Sequence, residues 1–377
     1  MLQAAKEFRI GRPQVLAGLM LLSFLAQCLW VAGERQLSDL EIQYIASGES
    51  HELGQVYRAN SPFTGWVAAV PGHVIAMVRA VAPSAVGREL AIPHPWLIRM
   101  PFVIFGVWLG GALWWVARRL FDDAGAYVAL ALYCSSPAMV MISSNVGPEI
   151  ILAWSSFGLI YTAIGVAHTL YAPPRKWIPR VVILGLSVGF ALSTASWSFT
   201  LVLIASAFMF YLAPDRRRSA PIVLLGAGVV ALAVVGYFAW WAGPSTTSSH
   251  AWLHPQITRE LARNMWFVLA DGYVSTGLFI AALVVYGSWP RARYFGNTAP
   301  LLVAFAAVLL FTLVPAIHIW NATLGLSFAF VFIGGVAADL LETQASKPTT
   351  AVLIAGILLR AVLAMRMLSH WIGQNTS

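Results

Sequence analysis

The side chains best suited to chemistry in this chain of 377 residues lie within 35–46, RQLSDLEIQYIA, where Asp39 and Glu41 follow directly on an apolar run of membrane-crossing length. A carboxylate can take a proton from a hydroxyl nucleophile or orient it, and acids beside a membrane span are costly enough that they commonly mark a site. The plainer reading of the same acids is a solvated loop start that pairs with Arg35 and contributes little. Glu149 opens a later apolar run; it can serve as a second acceptor-binding or metal-orienting group, or simply suit the positive end of its own helix. Arg58, Arg79, Arg88 and Arg99 can grip a phosphate through two parallel N–H groups or anchor the chain to lipid headgroups. His250, His254, Arg259, Arg263 and His318 fall in further connections between apolar runs.

What positions these groups is a membrane. Hydrophobic residues make up 59% of the chain, charged residues 10%, and the mean hydropathy is +0.75, which excludes a water-soluble domain. The runs are continuously apolar over helix-spanning lengths, so barrel strands, which alternate, are excluded too. With about 20 residues per crossing, the sequence predicts an all-α polytopic bundle of about eleven spans: 13–33, 98–117, 124–143, 150–169, 181–196, 198–213, 221–242, 265–288, 299–317, 322–340 and 349–368. The division at 181–213 rests on the polar cluster Ser193, Thr194, Ser196 and Ser198. Residues 1–377 form a single transmembrane domain in this reading, with no room for a separate soluble one.

The charges fit this count. Lys6, Arg9 and Arg12, then Arg118/Arg119, Arg175/Lys176/Arg180, Arg216/Arg217/Arg218, Arg291/Arg293 and Lys347 fall in alternate connections and hold 14 of the 23 basic residues. The positive-inside rule then places the N-terminus in the cytoplasm and the C-terminus on the far side. The net charge of +8 is thus a topology signal and not a nucleic-acid footprint, which needs basic residues gathered on one soluble surface. Cys28 and Cys134 lie in apolar runs and read as small hydrophobes. The first span reads as an uncleaved helix: Leu25-Ala26-Gln27-Cys28 faintly matches a lipoprotein cleavage site, but Gln27 is not the small residue needed there. Asn321-Ala322-Thr323 is a weak sequon at a helix boundary, and Gly110-Gly111 and Gly334-Gly335 suit close helix contact. No metal-ligand spacing or phosphate-cradling glycine loop occurs.

On the outer face this topology leaves one long connection, 34–97, too long for a turn. Within it 64–82 is apolar yet carries Pro71, His73 and Arg79; as a further span it would invert every later loop, so it is expected to lie at the interface.

One helix, a long acidic outer loop, and then Arg99-x-Pro101, Phe105-Gly106 and Arg118-Arg119-Leu120-Phe121, followed by Pro148-Glu149, resemble the bacterial GT-C superfamily of polyprenyl-phosphate-sugar-dependent glycosyltransferases. The protein mannosyltransferases and the lipid A aminoarabinose transferase belong there. The resemblance covers about the first 215 residues, and the rest by hydropathy alone. It implies an inner-membrane enzyme of a bacterium that moves a sugar, with inversion, from a polyprenyl-phosphate donor to an acceptor at the outer face. Membrane lipids and that donor are the implied partners, and a divalent cation is a further candidate. The family's first loop carries an Asp-Glu pair three residues before a Tyr. Alignment on Tyr44 sets Glu41 on the second acid and Leu40 on the first, the family's catalytic base. Glu41, or Asp39 if the backbone shifts by one residue, is then the implied base, with Tyr44, Arg58, Arg99, Glu149 and His318 as substrate ligands. His318-Ile319-Trp320-Asn321 stands where the family has an Arg-Tyr pair. Leu40 equally suits a second reading, an inactive homologue that fills a structural place in a larger membrane complex.

Overall fold

The computed structural model describes residues 12–49, 61–81, 94–216, 219–243, 271, 273–313, 323–343 and 346–373. Among these the chain is helical, without strands: α1 Arg12–Glu34, α2 Asp39–Glu49, α3 Pro62–Val81, α4 Pro95–Cys134, α5 Pro137–Ser143, α6 Pro148–Thr169, α7 Pro174–Thr194, α8 Phe199–Leu212, α9 Ser219–Ala242, α10 Tyr273–Ser288, α11 Phe295–Leu313, α12 Leu324–Leu341 and α13 Ser346–Gly373. Among the described residues seven helices are long and apolar enough to cross a membrane, and the protein is a multi-pass membrane protein. Each expected span overlaps a helix or half-helix, that at 124–143 running across two. Residues 265–270, 272, 314–317 and 322, in three of them, lie outside the described residues.

Two of the expected spans meet inside α4. Its backbone leaves helical geometry at Phe121 and Asp122, the latter with φ 60° and ψ −166°, a region that residues other than glycine seldom enter. The Tyr133 hydroxyl donates to the Gly106 carbonyl at 2.6 Å, whereas 27 residues of straight helix would separate them by about 40 Å. The helix is therefore a hairpin, 95–120 running one way and 123–134 back. Arg118 pairs with Asp123 across the turn. The close return is possible because Gly110 faces the Tyr133 ring.

The second half ends earlier than the continuous span 124–143 predicts. Ser136 caps a new short helix, its hydroxyl accepting from the Met139 N–H, with Pro137 at the first position of α5, the pattern expected of a helix start. Ser143 returns to the level of Gly106, so α5 lies across α1 and α4 and delivers Ser144, Asn145 and Val146 to the end of the bundle where α1 stops.

The core gathers around α12, in which every residue of 324–338 is buried. It is apolar on all sides, as a helix without a solvent face should be. Gly334 lies against the Gly125 backbone, where any side chain would meet the carbonyl, and this close approach joins α12 to the returning half of α4. Outward faces such as Ile222, Leu225, Val229 and Leu232 of α9 are exposed and apolar, a surface for acyl chains.

The predicted interfacial segment is α3. Its first turns are buried, with Phe63 stacked on Phe190 of α7 at 4.7 Å and set against Phe238 of α9 at 4.9 Å. Val74, Met77 and Val81 farther along are exposed.

Two ends result. At one, Arg118 and Asp123, the Arg291–Glu342 pair, and Arg216 over the Tyr171 ring gather with the ring pairs Phe121–Tyr294 and Tyr211–Phe295. At the other, Arg35, just past α1, lies under Trp371 of the last turn of α13. The start of α1 and the close of α13 are therefore at opposite ends of the bundle.

Candidate functional site

The site grows from residues 35–41. Ser38 caps α2 and Glu41 stands three residues on: the Ser38 hydroxyl accepts from the Glu41 N–H at 3.3 Å, while the Glu41 carboxylate accepts from the Ser38 N–H at 2.9 Å. This is a reciprocal capping box, and Ser-x-x-Glu is its sequence signature. The same carboxylate faces Arg99 on the second turn of α4. Arg99 Nε donates to Oε1 and Nη2 to Oε2, each at 2.8 Å. The remaining donors of Arg99 reach the carbonyls of Ala32, Arg35 and Gln36 at 2.8–2.9 Å. All five N–H groups that a guanidinium owns are thus bonded. Glu41 Oε1 accepts a further hydrogen bond from the Val146 N–H at 3.1 Å, which ties in the segment after α5.

The pair is dry, with Arg99 0% and Glu41 2% exposed. Burial alone pushes the Glu41 carboxyl up, but the hydrogen bonds and charge of Arg99, helped by the Ser38 and Val146 N–H groups, hold it below the ordinary glutamate value. A carboxylate so engaged is a poor proton acceptor, and Arg99 has no donor left for a phosphate. The pair instead fixes the exit of α1, the start of α2 and the start of α4 in one geometry. The plain reading in which Glu41 pairs with Arg35 is overturned, since Arg99 takes its place.

Arg35 is turned elsewhere. Its Nη1 donates to Asn145 Oδ1, and its guanidinium carbon sits 3.7 Å from the centre of the Trp371 ring. Burial, with Arg99 close by, lowers its pKa to about 10 against the opposing pull of Glu41, so it remains a cation at neutral pH.

Asp39 is the exposed acid of the group, in the first turn of α2, where the helix N-terminus favours negative charge. Leu40 beside it is 49% exposed, so packing does not call for leucine there. Tyr44, one turn on, is partly buried against the core. Glu149 opens α6 three residues after Val146, which places it about 11 Å or less along the chain from a direct partner of Glu41. It lies near enough for the two carboxylates to repel, and it folds back over Gly147, where a side chain would collide with it. The structure thus brings Arg35, Glu41, Arg99 and Glu149 together, with Asp39 on the rim. Arg58 and His318 lie outside the described residues, as do Arg88, His250, His254, Arg259 and Arg263.

Among the described residues no group of three or more His, Cys, Asp or Glu side chains is placed to hold a metal ion, so the divalent cation has no ligand set there. Sequence reasoning passed over Ser38, Asn145 and Trp371. The Ser38-x-x-Glu41 spacing was the signal for the first; nothing local marks the others, whose partners are more than 100 residues away.

Comparison with known proteins supports the resemblance seen in the sequence. A family profile described as dolichyl-phosphate-mannose-protein mannosyltransferase matches residues 85–241, a stretch that holds Arg99 and Glu149 but not the first-loop acids. Two crystal structures of ArnT from Cupriavidus metallidurans share the fold. The apo form aligns with a TM-score of 0.67 at 15% identity, over 90% of this chain and 62% of that one. The form bound to undecaprenyl phosphate aligns with a TM-score of 0.66 at 16% identity, over 88% and 61%. The chain therefore spans about three fifths of the length of those structures. A search of curated proteins finds no match. The likeness to a solved fold runs well past residue 215, into the part that had only hydropathy to support it.

Proposed function

We propose that this protein is an inverting GT-C-type glycosyltransferase that moves a sugar from a polyprenyl-phosphate donor to an acceptor at the outer face of a bacterial inner membrane. It does so as one transmembrane domain of eleven passes, with the N-terminus cytoplasmic and the C-terminus periplasmic. The observation that carries this reading is the Glu41–Arg99 knot, which holds an acidic first-loop helix rigidly against the start of α6 in a fold shared with a structure that binds undecaprenyl phosphate.

The reaction asks for three things. The acceptor oxygen attacks the anomeric carbon, the bond from that carbon to the phosphate oxygen breaks, and the polyprenyl phosphate leaves with the bonding electrons. The acceptor proton passes to a carboxylate, and cationic groups stabilise the departing phosphate. Asp39 is the proton acceptor in this reading, being exposed and held two residues from the fixed Glu41. Glu41 is a positioning residue, and Glu149 orients the acceptor. Arg58 and His318 stay as proposed ligands of the donor, with Tyr44 supporting α2.

A second reading rests on Leu40, which stands at the family's base position without a packing reason: the chain is then a structural subunit of a membrane complex, without turnover. Reconstitution into liposomes with undecaprenyl-phosphate mannose or undecaprenyl-phosphate aminoarabinose separates the two. Release of undecaprenyl phosphate, followed by mass spectrometry, supports the transferase; no release from either donor, together with loss of a co-purifying complex when the chain is deleted, supports the subunit.

A further inference from the structure

Among the described residues of the site, Arg35 is the buried cation whose donors are not all spent on protein. It is 7% exposed, its Nη1 is engaged by Asn145, one face of its guanidinium is covered by Trp371 at 3.7 Å, and its buried Nε–H has no acceptor. No described carboxylate lies within ion-pair distance of it, because both oxygens of Glu41 are held by Arg99. A buried guanidinium with an unmet N–H and no anionic partner is only partly compensated for its desolvation, which is the state of a receptor awaiting an anion. The contacts also define a geometry. Asn145 pins one edge and the indole fixes the plane, which leaves the edge formed by Nε and Nη2, the side-on fork that binds phosphate or carboxylate through two parallel hydrogen bonds.

Resting on the transferase reading above, we propose that Arg35 is the phosphate ligand of this site, with Asn145 and Trp371 as its positioning residues. Arg99, one of the arginines that the sequence offers for this task, is already saturated. The role reaches Arg35 because it sits at the exit of α1, fixed from below by Arg99 through its own carbonyl oxygen and from the side by the last turn of α13. The phosphate is either that of a lipid-linked donor or a free phosphate group; the shared chemistry is a tetrahedral dianion, and the probes below distinguish the sources.

The test is titration of the full-length protein in detergent with farnesyl phosphate, farnesol and inorganic phosphate, read by tryptophan fluorescence and by isothermal calorimetry. Wild type should bind farnesyl phosphate well above farnesol. Arg35→Gln should weaken farnesyl phosphate about 10-fold to 100-fold, as expected for loss of charge-assisted hydrogen bonds, and leave farnesol unchanged. Arg35→Lys keeps the charge but not the fork, and covers the case in which the glutamine variant does not fold; it should lose about 10-fold. Competition by inorganic phosphate assigns the site to the phosphate group itself, and its absence assigns it to a phosphate presented by a lipid; either supports the role of Arg35. Equal binding of farnesyl phosphate by wild type and Arg35→Lys overturns the inference and leaves the transferase reading standing if turnover is retained. Failure of wild type to bind farnesyl phosphate overturns both.

Discussion

The two ends of the bundle use the same kinds of charges in opposite ways. At the end that holds Asp39, the Glu41–Arg99 pair is almost fully buried, 3% and 0% exposed by side chain, with every donor of the arginine bonded. At the other end the Arg118–Asp123 pair is 34% and 45% exposed and the Arg291–Glu342 pair 55% and 60%. Exposed pairs are screened and worth little. A buried pair costs much to desolvate and more to break, and it is retained where one geometry has to be held. The comparison teaches that the basic end carries the topology signal, whereas the acidic end carries preorganisation.

Three substitutions and one pH experiment test that contrast. Arg99→Ala strands Glu41 in a dry site and should lower the unfolding free energy by about 3–5 kcal/mol, measured by titration from mild detergent into dodecyl sulfate. Gly334→Ala, which must push against the Gly125 carbonyl, should cost about 1–3 kcal/mol, because backbone cannot swing aside as a side chain can. Arg291→Ala, the control at the far end, should cost under about 1 kcal/mol. If it costs as much as Arg99→Ala, the distinction between the two ends collapses.

The pH experiment concerns Glu41 alone. Its folded-state pKa lies below the ordinary value, so its contribution is complete above an unfolded pKa of about 4.3 and is lost as pH falls through the folded value. Stability should therefore drop on acidification below about pH 4, and Glu41→Gln, already lacking the charge, should flatten that part of the curve.

Much of this was legible in the chain. The continuous apolar runs marked the helices because a lipid-facing or buried helix needs no polar stripe, and the Arg118/Arg119 pair between the expected spans 98–117 and 124–143 marked the turn inside α4 because charges collect at a membrane edge. The break at Ser135–Ser136 was missed, although Ser-Ser-Pro is a helix-start pattern: hydropathy averages across a polar pair flanked by apolar residues. Glu41 and Arg99 were each picked out, but as base and phosphate ligand. Their pairing was not legible, since it joins positions 58 residues apart and residue type alone does not tell a charge that meets substrate from one that meets its own chain. Arg35 was read as a partner for the acids, and only the placement of Arg99 shows that it is left over.

In the transferase reading, positioning and proton transfer are divided between two acids two residues apart. That division is tested most directly by measuring transfer and unfolding free energy on the same preparations of wild type, Asp39→Asn and Glu41→Gln. The division predicts that Asp39→Asn loses about 10²- to 10⁴-fold in turnover while its stability stays within about 0.5 kcal/mol of wild type, and that Glu41→Gln is destabilised by several times that amount. Wild-type turnover in Asp39→Asn, or a Glu41→Gln variant as stable as wild type yet inactive, would contradict it.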